Sequence, residues 1–432
     1  MGKLSLSEKT FVLNPVLKGK TDTERSDRAG LEEIKNLTAA IDLTVVAAES
    51  VLLSRLNAAL YIGKGAAERI RDVIKENEIT LAVVNTALSP IQQRNLEKLW
   101  QCKVIDRTAL ILEIFGERAR TKEGVLQVEL AHLSYQRSRL VRGWTHLERQ
   151  RGGKGFLGGP GETQIELDRR VITDNIVKLK KELEEVKRTR HLHRKARQRV
   201  PFPVIALVGY TNAGKSTLFN RLTNANVFAK DMLFATLDPT MRQLKLPSGR
   251  QVILSDTVGF ISDLPTELVA AFRATLEEVL EASLILHIRD ISHPDTTAQK
   301  ADVENVLKAL GLSKQVDQGL IEVLNKSDLM DKQERSALQS AVSRQEKQVL
   351  ISAVTGEGIP DLLALLEKSL AAGRLEINVN ISVADGAALA YLYRVGEVLE
   401  RHDADQICHV RVRLDPADAA KFQNNFPQVI YA

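Results

Sequence analysis

The eight residues Gly209-Tyr-Thr-Asn-Ala-Gly-Lys-Ser216 carry the spacing that phosphate chemistry demands. A phosphoryl group concentrates negative charge and needs several donors converging on it. Gly209 and Gly214 let the loop of candidate nucleotide-binding residues Tyr210, Thr211, Asn212 and Ala213 wrap tightly, so that successive backbone N–H groups face the phosphates together with the dipole of the following helix. Lys215 would bridge the β and γ phosphates of a nucleoside triphosphate and the Ser216 hydroxyl would ligate Mg2+, with Thr217 completing the candidate set on this loop. The apolar run VIALVG before the loop and STLFNRLT after it supply the strand-then-helix context that the pattern requires.

Three further segments would have to reach the same nucleotide. DTVG at 256–259 follows the strand-like QVILS; it places Asp256 to hold Mg2+ through water, with Thr257 and Val258 beside it and the Gly259 N–H near the γ-phosphate. FATLDPT at 234–240 sets Phe234, Ala235, Thr236, Leu237 and Asp238 on a loop. There Thr236 would be a second Mg2+ ligand, ordered only when the γ-phosphate is present; the alternative is a plain turn at Asp238-Pro239. NKSD at 325–328 selects the base, because the Asp328 carboxylate accepts from both N1–H and the exocyclic amine of guanine, a donor pair that adenine lacks. Asn325 would tie this loop to the phosphate loop and the Lys326 stem would pack on the base plane, with Ser327 between Lys326 and Asp328. Ser352-Ala353-Val354, after the next strand, would present an N–H to guanine O6. In this order the motifs specify a GTP/GDP site and a GTP phosphohydrolase whose catalytic groups are Lys215, Thr236 and Gly259.

Two departures bear on mechanism. Phe260 follows DTVG, where many GTPases carry a Gln that orients the attacking water, so basal turnover should be slow and stimulated by a partner. Asn212 lies inside the phosphate loop, where its side-chain oxygen would help bind K+ beside the phosphates; the equally open alternative is that it braces the loop.

Stepping outward along the chain, 432 residues exceed one ordinary core and suggest about three domains. Hydrophobic residues at 44% and charged residues at 27% are the balance of a globular protein. No apolar run approaches the roughly eighteen residues of a membrane span, and MGKLSLSEKT lacks an apolar signal core, which predicts a cytoplasmic protein without a membrane partner. Cys102 and Cys408 are too few and too far apart for a disulfide framework or zinc cluster.

Residues 201–372 predict a doubly wound P-loop NTPase G domain: VIALVG (204–209), SLILHIRD (283–290), LIEVLNKSD (320–328) and KQVLISA (347–353) are each a strand ending in a polar loop. Residues 1–115 predict a small parallel α/β domain, with strands at 11–17, 43–51, 59–63, 79–85 and 102–107 and helices over GAAERIRDVIKEN and SPIQQRNLEKLW. Residues 116–200 predict a long antiparallel helical hairpin. Leu126, Leu130, Leu133, Leu140, Trp144 and Leu147 follow heptad spacing interrupted at Arg137, and Ile172, Ile176, Leu179, Leu183 and Val186 repeat it. A second helix over 162–199 would span roughly 55 Å. Residues 373–432 predict a small C-terminal α/β domain built of INVNISV, a helix near 386–402 and CHVRVRL.

The net charge of +5 is concentrated in the hairpin, where 116–200 hold 21 Lys and Arg against 11 Asp and Glu. RQRGGKGFLGGPGETQ (149–164) sets Arg149, Arg151 and Lys154 among six glycines, a composition that lets a backbone lie against an irregular polyanion. KRTRHLHRKARQR (187–199), including Lys187, Arg188, Arg190, Arg194 and Lys195, holds seven cations and no acid; a solvated helix end is its plain alternative. Together they favour RNA as partner, with salt-sensitive binding.

On GLEEIKNLTAAI (30–41), ALSPIQQRNLE (87–97), VIDRTALILEIF (104–115), LVRGWTHLERQRGG (140–153), GPGETQIELDRR (159–170), GYTNAGKSTLFN, LFATLDPT and DTVGFISDLP (256–265), the chain resembles the HflX family of ribosome-associated GTPases. The resemblance covers nearly everything from 30 to about 372. It implies a monomer, in part ribosome-associated, that binds the large ribosomal subunit. The basic arm would approach ribosomal RNA near the peptidyl-transferase region, and the protein would split or rescue stalled ribosomes under stress. A large-subunit assembly GTPase and a nucleotide-regulated RNA chaperone or helicase-like remodeller remain alternatives. The resemblance also implies ATP use by the amino-terminal domain, where the sequence offers only Gly63-Lys-Gly65 in place of a second phosphate loop.

Overall fold

The computed structural model describes residues 8–18, 27–150, 160–197, 202–223, 234, 240–262, 279–372, 375–404, 406–414, 416–427 and 429–431. Two compact units form, Met1–Lys245 with Gln251–Ile359, and Leu246–Arg250 with Pro360–Ala432.

The first unit begins with a parallel sheet. Its elements run β1 (Lys9–Leu17), α1 (Asp27–Ala39), β2 (Thr44–Leu53), α2 (Lys64–Glu76), β3 (Leu81–Val84), α3 (Pro90–Trp100) and β4 (Lys103–Asp106), with sheet order β2-β1-β3-β4. The strands read as continuous apolar runs because both faces are covered. Phe11 and Leu13 of β1 pack with Ile70, Ile74 and Trp100 on one side. Val12 packs with Ile34 and Leu37 on the other. At α3, Ser89 and Gln92 form a reciprocal capping box ahead of Pro90.

The run at 59–63 is not the expected strand. Asn57 Oδ1 accepts from Ala59 N and Leu60 N at 2.8 and 3.1 Å, and Tyr61 takes a left-handed φ of 66°. This side-chain-nucleated reversal competes successfully with the strand tendency of a short apolar run. Gly63-Lys-Gly65 therefore follows a turn and starts α2.

Next come α4 (Arg107–Arg118), α5 (Lys122–Gln150) and α6 (Pro160–Arg197). At about 1.5 Å per residue, the 38 residues of α6 extend roughly 57 Å. The two long helices pack along Leu126, Leu179 and Leu183, flanked by Leu130, Leu133 and Val186. The first half of α5 also closes on the sheet. Tyr135 Oη donates to Asp106 Oδ1 at 2.9 Å, and Arg139 Nη1 lies 3.1 Å from Asp106 Oδ2.

A six-stranded sheet completes this unit, formed by β5 (Val204–Gly209), β6 (Thr240–Lys245), β7 (Gln251–Asp256), β8 (Leu284–Asp290), β9 (Ile321–Asn325) and β10 (Gln348–Leu350) in the order β10-β9-β8-β5-β7-β6. All neighbours are parallel except the edge pair β6–β7. Helices α7 (Lys215–Thr223), α8 (Thr296–Ala309), α9 (Ser313–Asp317) and α10 (Lys332–Val342) connect its strands. One apolar cluster runs from the first sheet's helices into this one, joining Ile34, Leu110 and Phe115 to Val258, Phe260 and Phe234. Phe115 and Phe234 meet edge to face with centroids 4.6 Å apart.

The second unit contains most of α11 (Ile359–Ala372), then β11 (Leu375–Ser382), α12 (Gly386–Val395), β12 (Glu397–Ala404), β13 (Ile407–Leu414), α13 (Pro416–Asn425) and β14 (Ile430–Tyr431). The order β12-β13-β11-β14 with βαββαβ succession is the ferredoxin-like arrangement. The helix expected near 386–402 stops at Val395. A Cβ on Gly396 would come within 2.4 Å of Leu414 and 2.7 Å of Val412, so this glycine permits the close approach with which β12 begins.

Candidate functional site

The phosphate loop joins β5 to α7, as its spacing requires. Lys215 is buried, its Nζ donating to Gly209 O and Tyr210 O at 3.0 and 2.8 Å. Burial pulls its pKa down to about 8, opposed by the charge of Asp256. An ammonium held in this way inside the loop is short of anionic partners, which polyphosphate would supply. His287, under the loop on β8, is pushed down to about 3 by burial and by Arg289, so it stays neutral.

Ser216 Oγ donates to Asp256 Oδ2 at 2.7 Å. A hydroxyl and a carboxylate brought together beside the buried lysine are hard oxygen donors of the kind Mg2+ takes, so these residues fit the metal that the fold family uses. Gly259 lies against the loop so closely that a Cβ there would fall 2.8 Å from Thr211 Cγ2 and 3.1 Å from Lys215 Nζ. The structure thus brings together Lys215, Ser216, Asp256 and Gly259; Ala235, Thr236, Leu237 and Asp238 lie outside the described residues.

The base-side loops are tied by Asn325, which is 2% exposed. Its Nδ2 donates to Ala213 O at 2.8 Å and its Oδ1 accepts from Ala353 N at 2.9 Å. Gly214 is required here, with φ of 90° and a would-be Cβ 2.2 Å from Asn325 Nδ2. Ser352 Oγ donates to Asp328 Oδ1 at 2.6 Å, bracing the carboxylate. Lys326 takes φ of 68° and its Nζ pairs with Asp290 at 2.8 Å. Asn212, Gly214, Thr217, Asn325, Lys326, Asp328, Ala353 and Val354 all line one cleft of about 570 Å3. Ser327, inside NKSD, is buried at the start of a short 3-10 turn.

Family models described as GTP-binding GTPase N-terminal, GTP-binding GTPase Middle Region, 50S ribosome-binding GTPase and HflX C-terminal domain match residues 28–116, 118–197, 204–326 and 337–429. The chain is 50% identical to GTPase HflX of Magnetococcus marinus, covering 91% of this chain and 90% of that protein. The chain belongs to the HflX family of GTPases. It is also 39% identical to GTPase HflX of Escherichia coli over 94% of this chain and 95% of the relative. As an HflX GTPase it binds guanine nucleotide and hydrolyses GTP.

Phe260 is 1% exposed, with its ring in the shared apolar cluster and its main chain paired to the phosphate loop: Thr211 N donates to Phe260 O at 2.7 Å, and Phe260 N to Gly209 O at 3.1 Å. Its side chain is therefore packing. Asn212 has a left-handed φ of 60°. In the arm, Arg188 is exposed on α6, and the backbones of Arg149, Lys187, Arg190, Arg194 and Lys195 are helical with their side chains outside the described set. Arg151 and Lys154 lie outside the described residues.

Sequence reasoning placed the nucleotide site in the G domain alone. In the structure Asn36 and Ala39 of α1 and Ala40 just after it line the guanine-side cleft, and Glu33 and Arg107 touch the phosphate-loop side. The signal was present in GLEEIKNLTAAI and VIDRTALILEIF, whose charged and amide residues interrupt apolar helix faces.

Proposed function

We propose that GTP acts here as a switch for association with the large ribosomal subunit, and that hydrolysis releases the protein after it has split or rescued a stalled ribosome. The observation that carries this reading is a GTPase site joined in one chain to two long packed helices whose connecting sequence is glycine-rich and basic. The description of the matching G-domain family, 50S ribosome-binding GTPase, supports the same partner.

In this account residues 1–115, 116–200, 201–372 and 373–432 divide the labour as sensor, RNA-contacting arm, G domain and accessory domain. Lys215 would bridge the phosphates, Ser216, Thr236 and Asp256 would hold Mg2+, which would neutralise charge developing on the phosphates, and the Gly259 N–H would meet the γ-phosphate. Asn212 contributes to a K+ site, so hydrolysis should run faster in K+ than in Na+. Arg149, Arg151, Lys154, Lys187, Arg188, Arg190, Arg194 and Lys195 meet RNA phosphates. The protein acts as a monomer in the cytoplasm; no described helix is long and apolar enough to cross a membrane.

The test is GTP turnover with and without large subunits, for the full chain and for a chain lacking 152–161. The deletion should abolish stimulation and leave GDP affinity intact. Undiminished stimulation refutes the role of the arm.

A further inference from the structure

Arg107 is 5% exposed at the start of α4, and its guanidinium joins three parts of the chain. Nη1 donates to Asn85 Oδ1 at 2.6 Å. Nη2 donates to Ser262 O at 3.0 Å, lies 2.8 Å from Ser262 Oγ, and pairs with Glu33 Oε1 at 3.0 Å. Tyr210 of the phosphate loop closes the circuit, its Oη donating to Glu33 Oε1 and accepting from Ser262 N, both at 2.8 Å. We infer that Arg107 and Glu33 are positioning residues of the GTPase, which hold Ser262 and Tyr210 and so couple the first parallel sheet to the γ-phosphate.

The coupling follows from chain connectivity. Gly259 sits between Asp256, bonded to Ser216, and Ser262, bonded to Arg107 and Tyr210. A segment pinned at both ends presents the Gly259 N–H without first having to be ordered. Fixing one backbone residue is worth roughly tenfold in an equilibrium constant. Conversely, a γ-phosphate that draws on Gly259 also pulls on Ser262, and through it on β4 and α4. A buried pair of this kind loses heavily when one partner is removed, so the link from Ser262 to α4 is costly to break. Diphosphate makes no such demand on Gly259, so the effect belongs to the triphosphate state. By linkage, whatever Arg107 contributes to triphosphate affinity, the triphosphate contributes to seating the first sheet.

The inference rests on Gly259 as the γ-phosphate contact. The experiment measures dissociation constants for GDP and a non-hydrolysable GTP analogue on the full chain, in Arg107→Lys, Glu33→Gln and Ser262→Ala. Arg107→Lys keeps the charge but not the fork, and Ser262→Ala leaves every main-chain bond in place. The expected result is analogue binding weakened about tenfold in Arg107→Lys with GDP binding changed less than twofold, and a smaller selective loss in Ser262→Ala. Parallel loss for both nucleotides would mean a structural role only, and no loss would mean no coupling; either overturns the inference. Hydrogen exchange of 103–112 should differ between GDP and analogue in the wild type and not in Arg107→Lys, a signature that simple destabilisation does not produce. Gly259→Ala separates the two layers. If it leaves the analogue-to-GDP affinity ratio unchanged, the γ-phosphate reading fails. If it alters the ratio while Arg107→Lys does not, only the relay fails.

Discussion

Removing the Asn325 side chain should damage nucleotide binding more than any surface change near the cleft. Asn325→Ala deletes the bonds to Ala213 O and Ala353 N at 2.8 and 2.9 Å, and both partners are in buried positions. Each orphaned buried group costs about 1–3 kcal/mol, so the two together cost about 2–5 kcal/mol, discounting for relaxation. That cost divides between folding and binding, because bound guanine orders the same loops. Taking half of it in binding predicts a GDP affinity lower by about five- to seventyfold. The cavity beside Gly214 adds to the loss, since its backbone lies directly against the deleted amide. Calorimetric titration with GDP, beside thermal melts of the free protein, reads both parts. Affinity within threefold of wild type, in a protein that melts normally, would refute the claim that Asn325 assembles the three loops.

Further outcomes follow from the same geometry. Phosphates should raise the pKa of Lys215 above its free value of about 8. Binding will then be insensitive to pH below that value, weaken as pH rises above it, and take up a proton there; calorimetry in buffers of different ionisation enthalpy measures this. Phe260→Gln should lower stability by about 2–4 kcal/mol in denaturant unfolding without raising basal GTP turnover, because the position faces the apolar cluster. Ser352→Ala should weaken GDP binding about three- to tenfold by releasing Asp328, seen in the same titrations.

The first parallel sheet, the parallel strands of the second, the hairpin and the order of the nucleotide motifs were legible because each has a local signature: uninterrupted apolar strands, heptads, and glycine at positions such as Gly214. The turn at Asn57–Tyr61 was not, since a short apolar run is ambiguous until a side-chain cap outcompetes the strand. Nor was β12, where 397–404 continues a helix-like composition and only the Gly396 contact with Leu414 marks the break. The largest omission was the contribution of Glu33, Asn36 and Arg107. Motif spacing reports residues that meet through one loop, whereas Arg107 and Ser262 are 155 positions apart and meet through packing of one sheet's helices on the other.

The central claim is that triphosphate, not diphosphate, commits this protein to the large ribosomal subunit. Sedimentation of the full chain with purified large subunits, in a non-hydrolysable GTP analogue or in GDP, tests it directly. The protein should pellet with subunits in the analogue and stay in the supernatant in GDP, with pelleting lost as salt is raised. Equal pelleting in both nucleotides, or none in either, would contradict the account.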